Sequence, residues 1–197
     1  MAIKPILFNT EMVRAILDGR KSCTRRLVRF LPGENPQWTG YIRDGLMLYN
    51  GRNEPCIIKP PYQPGDILYV RETWKKAPNG YYYYESWQRN DIADITKWKP
   101  SIHMPKEAAR IWIKVTDVRV ERLQEIDWRD ALDEGINTQF PRDKKTGEYI
   151  FDENPIDDFI DLWNSTIKKS DIDRYGWDAS PYVWVIEFER CEKPENL

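Results

Sequence analysis

The sequence predicts a mixed α+β domain, and three observations support this prediction. Nine Trp, eleven Tyr and 41% hydrophobic residues supply enough apolar surface for one well-filled core in a chain of 197 residues. Apolar residues follow a helical period in some segments and a strand period in others. No repeat, low-complexity tract or linker is visible, so we expect a single domain over residues 1–197.

The N-terminal part predicts a helix followed by a turn and a strand. TEMVRAILDG (10–19) starts with a possible N-cap, Thr10, repeats apolar residues at helical spacing and ends on Gly19. The next segment, KSCTRRLVRF (21–30), is polar at its start and suited to a β-strand at its end. A cluster of basic residues therefore lies across a helix-to-strand junction.

The middle of the chain alternates loop-rich segments with one clear core strand. Residues 31–64 hold six prolines and an Asp44-Gly45 hairpin signal. ILYV (67–70) predicts a buried strand, and the polar Arg71-Glu72-Thr73 at its end is typical of a pocket lining. Residues 75–105 are aromatic and irregular, which indicates a functional loop.

The C-terminal half predicts two long strands and two helices. RIWIKVTDVRVERL (110–123) alternates apolar and charged residues, with a bulge expected near Thr116-Asp117. Asp127 is placed to cap a helix that Gly135 ends. Residues 138–154 predict a polar loop, PIDDFIDLWNSTI (155–167) a further helix, and YVWVIEFERC (182–191) a final apolar strand.

Charge and composition exclude several classes of protein. A net charge of −2 gives no general attraction to nucleic acid, so any basic site must be local. The sequence has no apolar run of membrane-spanning length and no signal-peptide pattern, so we expect no membrane partner and a cytoplasmic location. Three cysteines without CxxC spacing and a single histidine predict neither a disulfide framework nor a metal site, and we expect no cofactor.

The segment GRKSCTRR (19–26) carries the main candidate site. A lysine of lowered pKa can deprotonate a threonine, so Lys21 and Thr24 form a potential base and nucleophile. Arg20, Arg25 and Arg26 can supply a cationic field or hold an anion. In a regular strand Lys21 and Thr24 would face opposite ways, so the pairing requires Lys21 to lie in the turn. A solvated basic hairpin is the alternative interpretation.

Other candidate residues are less specific. Cys23 lies beside cations and could be a low-pKa nucleophile, but no partner histidine is near. His103, the one histidine, fits a substrate-edge role or a plain surface imidazole. Glu72 and Glu134 each lie near the end of an element, where a carboxylate can orient a lysine or act as an acid.

The motifs GRKSCTRR, PGDILYVRETW, ALDEGI and VWVIEFER together resemble the ASCH family. The resemblance covers about residues 4–30, 62–74, 108–136 and 181–190 and implies a PUA-like, partly closed β-barrel with flanking helices. Insertions at about 31–60, 75–105 and 138–180 lie outside it. The chain is similar to the long members that phages and prophages encode.

Within that family, bacterial amidohydrolases that deacetylate N4-acetylcytidine carry a Gly-Arg-Lys-Thr-x-Thr-x-Arg motif. The resemblance implies Lys21 as base, Thr24 as nucleophile, Glu134 as proton shuttle and Arg26 at the oxyanion. The chain departs from that motif at Ser22, where those enzymes have threonine, and at Arg25, where they have an aliphatic residue.

The predicted partner is therefore a nucleoside or modified base, cleaved by amide hydrolysis. The long insertions, with Glu72, Trp74, Trp98 and His103, are expected to enlarge the pocket or contact the substrate, together with Arg71. Two alternatives remain open at this point. One is a non-catalytic module that binds single-stranded RNA or a modified nucleotide through the same basic and aromatic groups, and the other is a ribonuclease.

Overall fold

A computed structural model describes residues 1–29, 37–42, 45–49, 55–88, 97–137, 145–146 and 154–195. Its strands are β1 (Ile3–Leu7), β2 (Cys23–Leu27), β3 (Gln37–Ile42), β4 (Gly45–Tyr49), β5 (Pro55–Ile58), β6 (Ile67–Arg71), β7 (Trp74–Ala77), β8 (Gly80–Tyr83), β9 (Trp112–Arg122) and β10 (Tyr182–Cys191). Its α-helices are α1 (Thr10–Leu17), α2 (Tyr84–Gln88), α3 (Trp128–Asp133), α4 (Pro155–Thr166) and α5 (Ile172–Tyr175). The predicted α+β class is confirmed.

A five-stranded sheet organises the molecule, with strand order β1-β6-β9-β10-β2. β1 and β6 run parallel, and the other neighbours are antiparallel. Within the described residues the sheet is open, with β1 and β2 as its edges, and separate small sheets form from β3-β4-β5 and β7-β8. The N-terminal strand β1 is an element that the sequence motifs did not predict.

Both faces of the sheet are covered, which explains why the sequence of β10 is a nearly continuous run of apolar residues. Trp184 and Ile186 on β10 contribute to one core cluster, which includes Phe8. Val183 and Val185 point the other way, into a cluster that includes Phe159 on α4. A strand that alternates between two cores needs apolar residues at every position.

Most of the predicted boundaries are confirmed, with one shift at α1. Asp127 caps α3 by accepting hydrogen bonds from two backbone amides. The pairing of β9 with β10 slips beside Thr116, as the predicted bulge requires. α1 is capped by Asn9, whose Oδ1 accepts from Met12 N at 2.8 Å, and not by Thr10, which is the first helical residue.

The segment 75–105 corrects the expectation of an irregular loop. Its first part forms the β7–β8 hairpin and α2, and Lys99 pairs back onto Trp74 at an isolated bridge. Alternating tyrosines here are strand residues that pack on a third core cluster. The hairpin expected around 44–45 is present as β3 and β4, while the turn itself and most of the predicted loop 138–154 lie outside the described residues.

Candidate active site

A pocket of about 210 Å³ lies where β2, α3 and α4 meet. It brings together Lys21, Thr24, Arg25 and Arg26 from the basic segment with Glu134 from the end of α3. β2 is an edge strand, so side chains from both of its faces can reach the pocket. The strand register shows those faces: Thr24 pairs with Ile186, on one core, while Arg25 pairs with Val185, on the other.

Lys21 and Glu134 form a buried ion pair at the centre of the site. The Lys21 Nζ donates to Glu134 Oε2 at 2.6 Å and to the Glu134 backbone oxygen at 2.7 Å. Their side chains are 1% and 5% exposed. Lys21 precedes β2 and makes an isolated bridge to Glu134, so it lies in the turn, as its pairing with Thr24 requires.

Gly135 makes this close approach possible. Its φ of +92° is a left-handed conformation, and a Cβ added there would come within 2.7 Å of the Ala15 Cβ and 3.1 Å of the Lys21 Cβ. Arg20 reinforces the junction, because its Nη1 donates to the Gly135 carbonyl at 2.8 Å. Arg20 therefore supports the pocket from outside and is not part of its lining.

The Thr24 side chain is buried beside this ion pair. Within the described part of the chain its hydroxyl forms no hydrogen bond, and none links it to the Lys21 amine. The Thr24 oxygen is not one of the fully buried side-chain atoms that lack a partner, so its hydroxyl opens onto the pocket that the residue lines. A hydroxyl in that position can contact a ligand or a water molecule in the pocket.

Arg25 and Arg26 also line the pocket, and different contacts hold them there. The Arg25 Nη2 pairs with Asp130 at 2.7 Å, and its Nη1 lies 3.5 Å from Glu134 Oε1. The Arg26 Nη2 donates to the Leu7 carbonyl at 2.8 Å. Arg25 is buried and Arg26 half-buried, and these contacts hold both in place, so they act as fixed positive charges and not as a freely solvated basic surface.

Burial changes the protonation of two groups here. It lowers the pKa of the Lys21 amine below its usual 10.5, although the Glu134 carboxylate opposes the shift. Burial also raises the pKa of the Cys23 thiol to about 12, so this thiol stays protonated and is a poor nucleophile. Of these two groups, Lys21 is the one whose shifted pKa favours the form that can accept a proton.

Helix α4 supplies a wall that the sequence motifs did not reveal. Phe159, Leu162 and Trp163 line the pocket at the i, i+3, i+4 spacing of one helical face. Trp163 is held in place by a hydrogen bond from its indole nitrogen to the Tyr175 carbonyl at 2.9 Å. Phe8 lies on the lining from the β1 side. The amphipathic pattern of α4 was visible in the sequence, but nothing there related it to the GRKSCTRR segment.

Four other predicted site residues lie away from this pocket. Glu72 is buried and held by Arg110 through bonds of 2.9 and 2.8 Å, and burial raises the pKa of its carboxyl. Arg71 donates to the Ile102 carbonyl at 3.2 Å, and Trp74 packs in the third core cluster. His103 is exposed.

The described residues contain no cluster suited to a metal ion and no helix able to cross a membrane.

Comparison with known proteins gives similarity at the level of structure. No protein-family model matches the chain, and the search of curated proteins found no match. A high-resolution crystal structure of an ASCH domain from Lactobacillus crispatus JV V101 is 11% identical, with a TM-score of 0.46 over 96% of this chain and 79% of that one. The crystal structure of hypothetical protein PH0355 is 13% identical, with a TM-score of 0.37 over 97% and 100%.

Proposed function

We propose that this protein is an amidohydrolase that removes the acyl group from an N-acylated nucleobase or nucleoside of the N4-acetylcytidine type. The observation that carries the proposal is the buried Lys21–Glu134 pair at 2.6 Å in a pocket that Thr24 also lines. Burying two charges is costly, and such pairs with a shifted pKa are concentrated at functional sites.

The donors on Lys21 are compatible with a role as base. A neutral amine has two N–H groups and one lone pair, so it can keep both hydrogen bonds to Glu134 and still accept a proton. The lowered pKa of Lys21 makes that neutral form accessible. We expect substrate binding to bring the Thr24 hydroxyl into hydrogen-bonding distance, as catalytic contacts often tighten only with substrate present.

The reaction proceeds in two stages, transfer of the acyl group to Thr24 and hydrolysis of the resulting ester. First, the Thr24 oxygen attacks the acyl carbon as its proton passes to Lys21, and the charged oxygen of the tetrahedral intermediate is stabilised by Arg26 or by backbone amides. The C–N bond then breaks as Glu134 relays the proton from Lys21 to the leaving nitrogen. Second, water attacks the Thr24 ester and gives its proton to Lys21, and the carboxylic acid leaves as Thr24 regains a proton.

The walls favour a flat ligand with a polar edge. Phe8, Phe159 and Trp163 offer apolar faces, while the charged groups lie together on the floor. Aromatic side chains stack well on unpaired bases. The volume of about 210 Å³ is smaller than pockets for drug-sized ligands, which are roughly 300–1,000 Å³, so the pocket suits one base with a small acyl group.

The decisive experiment is incubation of the purified protein with N4-acetylcytidine, with chromatographic detection of cytidine. We expect turnover that falls by about 10²–10⁴-fold in Thr24→Ala, since nucleophile and base act as a unit. Ser22→Ala is the matched control, because the Ser22 hydroxyl lies two residues away and bonds Asp133 outside the pocket lining. Equal activity in Thr24→Ala and wild-type protein would refute the assignment of the nucleophile.

A panel of other N-acylated bases separates the reaction from its substrate. Release of acid from a different acylated base, with none from N4-acetylcytidine, would keep the Lys21–Thr24–Glu134 chemistry and change the substrate. If neither N4-acetylcytidine nor any base of the panel is hydrolysed, the proposed activity is wrong.

A further inference from the structure

A second group of basic residues lies outside the pocket, on the β7–β8 hairpin and on the segment 97–106 beside it. We call it the lysine face; it consists of Lys75, Lys76, Lys97, Lys99 and Lys106. Lys75 is half-buried and the other four are exposed. Residues 71–110 hold eight Lys and Arg against five Asp and Glu, although the whole chain is slightly acidic.

The lysines of this face have no acidic partner among the residues that the structure describes. Within the described parts of the chain none of the five lysines forms an ion pair, whereas Lys4, Lys21 and Lys114 each have an acidic partner. Of the three glutamates in this part, Glu72 and Glu85 are buried against Arg110, and only Glu107 is exposed. The lysines therefore form an uncompensated positive surface.

The strand pairing places these lysines side by side with aromatic rings. Lys75 pairs with Tyr82 and Lys76 with Tyr81 across the hairpin. Lys99 is bridged to Trp74 on the other edge of β7, and its Nζ lies 5.1 Å from the Trp74 ring. The result is a three-stranded strip in which Lys76 and Lys99 share one face with the Tyr81 and Trp74 rings, while Lys75 and Tyr82 lie on the opposite face.

We propose that the lysine face binds single-stranded nucleic acid, with its phosphates on the lysines and its unpaired bases on the tyrosines. Phosphate contacts supply most of the affinity in such complexes, and base–aromatic stacking adds to it without sequence preference. A paired duplex hides the base faces that the rings would contact. A membrane surface requires apolar side chains that can insert, and the one large apolar residue that stands exposed on the described part of this region is Ile102.

A backbone hydrogen bond links the chain just before this face to a residue of the pocket. Arg71, three residues before β7, accepts a hydrogen bond from the backbone amide of Phe8 at 3.2 Å, and Phe8 lines the pocket. A bound strand would therefore lie at the same end of the sheet as the candidate site. Binding to the lysine face does not depend on the proposed hydrolysis and can be measured without it.

The test is fluorescence anisotropy with a labelled 12-nucleotide oligouridylate and oligothymidylate over a range of salt concentrations. If all five lysines contact phosphates, affinity falls by about a hundredfold between 50 and 200 mM salt. The Lys75→Gln/Lys76→Gln/Lys99→Gln variant should bind more weakly at low salt and lose only about sevenfold over the same range.

A control variant tests the location of binding. Lys168→Gln/Lys169→Gln/Lys193→Gln removes three exposed lysines elsewhere and should bind like wild type. Equal binding by the lysine-face variant and wild type would overturn the proposal, and so would an equal loss of binding in the Lys168/Lys169/Lys193 variant. A duplex of the same length or poly-glutamate binding as tightly as the oligonucleotides would likewise overturn it.

Discussion

Lysine residues serve opposite purposes in the pocket and on the lysine face. Lys21 is 1% exposed and is paired with Glu134, whereas Lys76 and Lys99 are exposed and have no acidic partner in the described residues. Burial forces the first kind of charge to find a partner and shifts its pKa, while water stabilises the second kind at no cost to the fold. The comparison teaches that a basic cluster in a sequence becomes a reactive site only where the fold removes it from water.

The largest effect should follow from breaking the buried pair. Lys21→Met removes the hydrogen-bonded partner of the buried Glu134 carboxylate and leaves it the longer contact of 3.5 Å to Arg25, so we expect the free energy of unfolding to fall by about 3 kcal/mol and turnover to be lost. Urea denaturation and the N4-acetylcytidine assay measure the two effects separately.

A double variant separates the chemical role of the pair from its structural role. Lys21→Met/Glu134→Leu replaces both charges by apolar groups and should recover most of the stability, because no buried charge is left unpaired. Turnover should stay absent. Turnover in the stable double variant would contradict the assignment of Lys21 and Glu134 to the reaction.

The contrast between the two regions explains which features the sequence could predict. Capping by Asp127, the bulge at Thr116 and the buried strand at 67–70 depend on local pattern, and the structure confirms all three. Strand alternation applied to GRKSCTRR sets a condition, that Lys21 can pair with Thr24 only if it lies in the turn, and the structure places Lys21 there. These features need only neighbouring residues.

Long-range partners could not be predicted in the same way. The α4 wall of the pocket is more than 130 residues from Lys21 in sequence, and Arg110, which holds Glu72, lies just before β9, the next strand of the sheet order. Sequence pattern gives the face of a helix or strand that is buried, but not the element that it packs on. The lysine face has a related cause, since residues 75–105 predict an irregular loop and the hairpin that carries Lys75 and Lys76 is visible only in the structure.

The pH dependence of turnover tests the protonation state of Lys21. Catalysis requires the neutral Lys21 amine, and burial lowers its pKa in the folded protein below 10.5. The rate should therefore rise with pH and level off above that folded-state pKa. The unfolded chain binds more protons than the folded one between the two pKa values, so stability should also rise with pH over that window.

The lysine-face variant Lys75→Gln/Lys76→Gln/Lys99→Gln is the control for this profile. Its pH–rate curve should coincide with that of wild type, because these lysines do not line the pocket. A wild-type rate that is constant or falls from neutral to alkaline pH would rule out Lys21 as the base.

Glycine substitutions probe how tightly the pocket is assembled. Gly135 and Gly65 have φ values of +92° and +87°, but only Gly135 has neighbours within 4 Å of an added Cβ. Backbone strain should destabilise both alanine variants by about 1–3 kcal/mol. Gly135→Ala should be destabilised more, because its added Cβ displaces Ala15 or Lys21. Thermal unfolding measures the difference, and turnover should fall in Gly135→Ala alone. Equal stability and turnover in the two variants would mean that the Gly135 contact is not required.

The smallest effect on stability should come from the lysine face itself. None of Lys75, Lys76 and Lys99 forms an ion pair with a described residue, so replacing all three by glutamine removes little more than the contacts of Lys76 and Lys99 with the Tyr81 and Trp74 rings. We expect a loss of about 1 kcal/mol or less in urea denaturation, several times smaller than for Lys21→Met. A loss comparable with that of Lys21→Met would show that these charges support the fold, because charges kept only for a partner leave the free protein's stability nearly unchanged when removed.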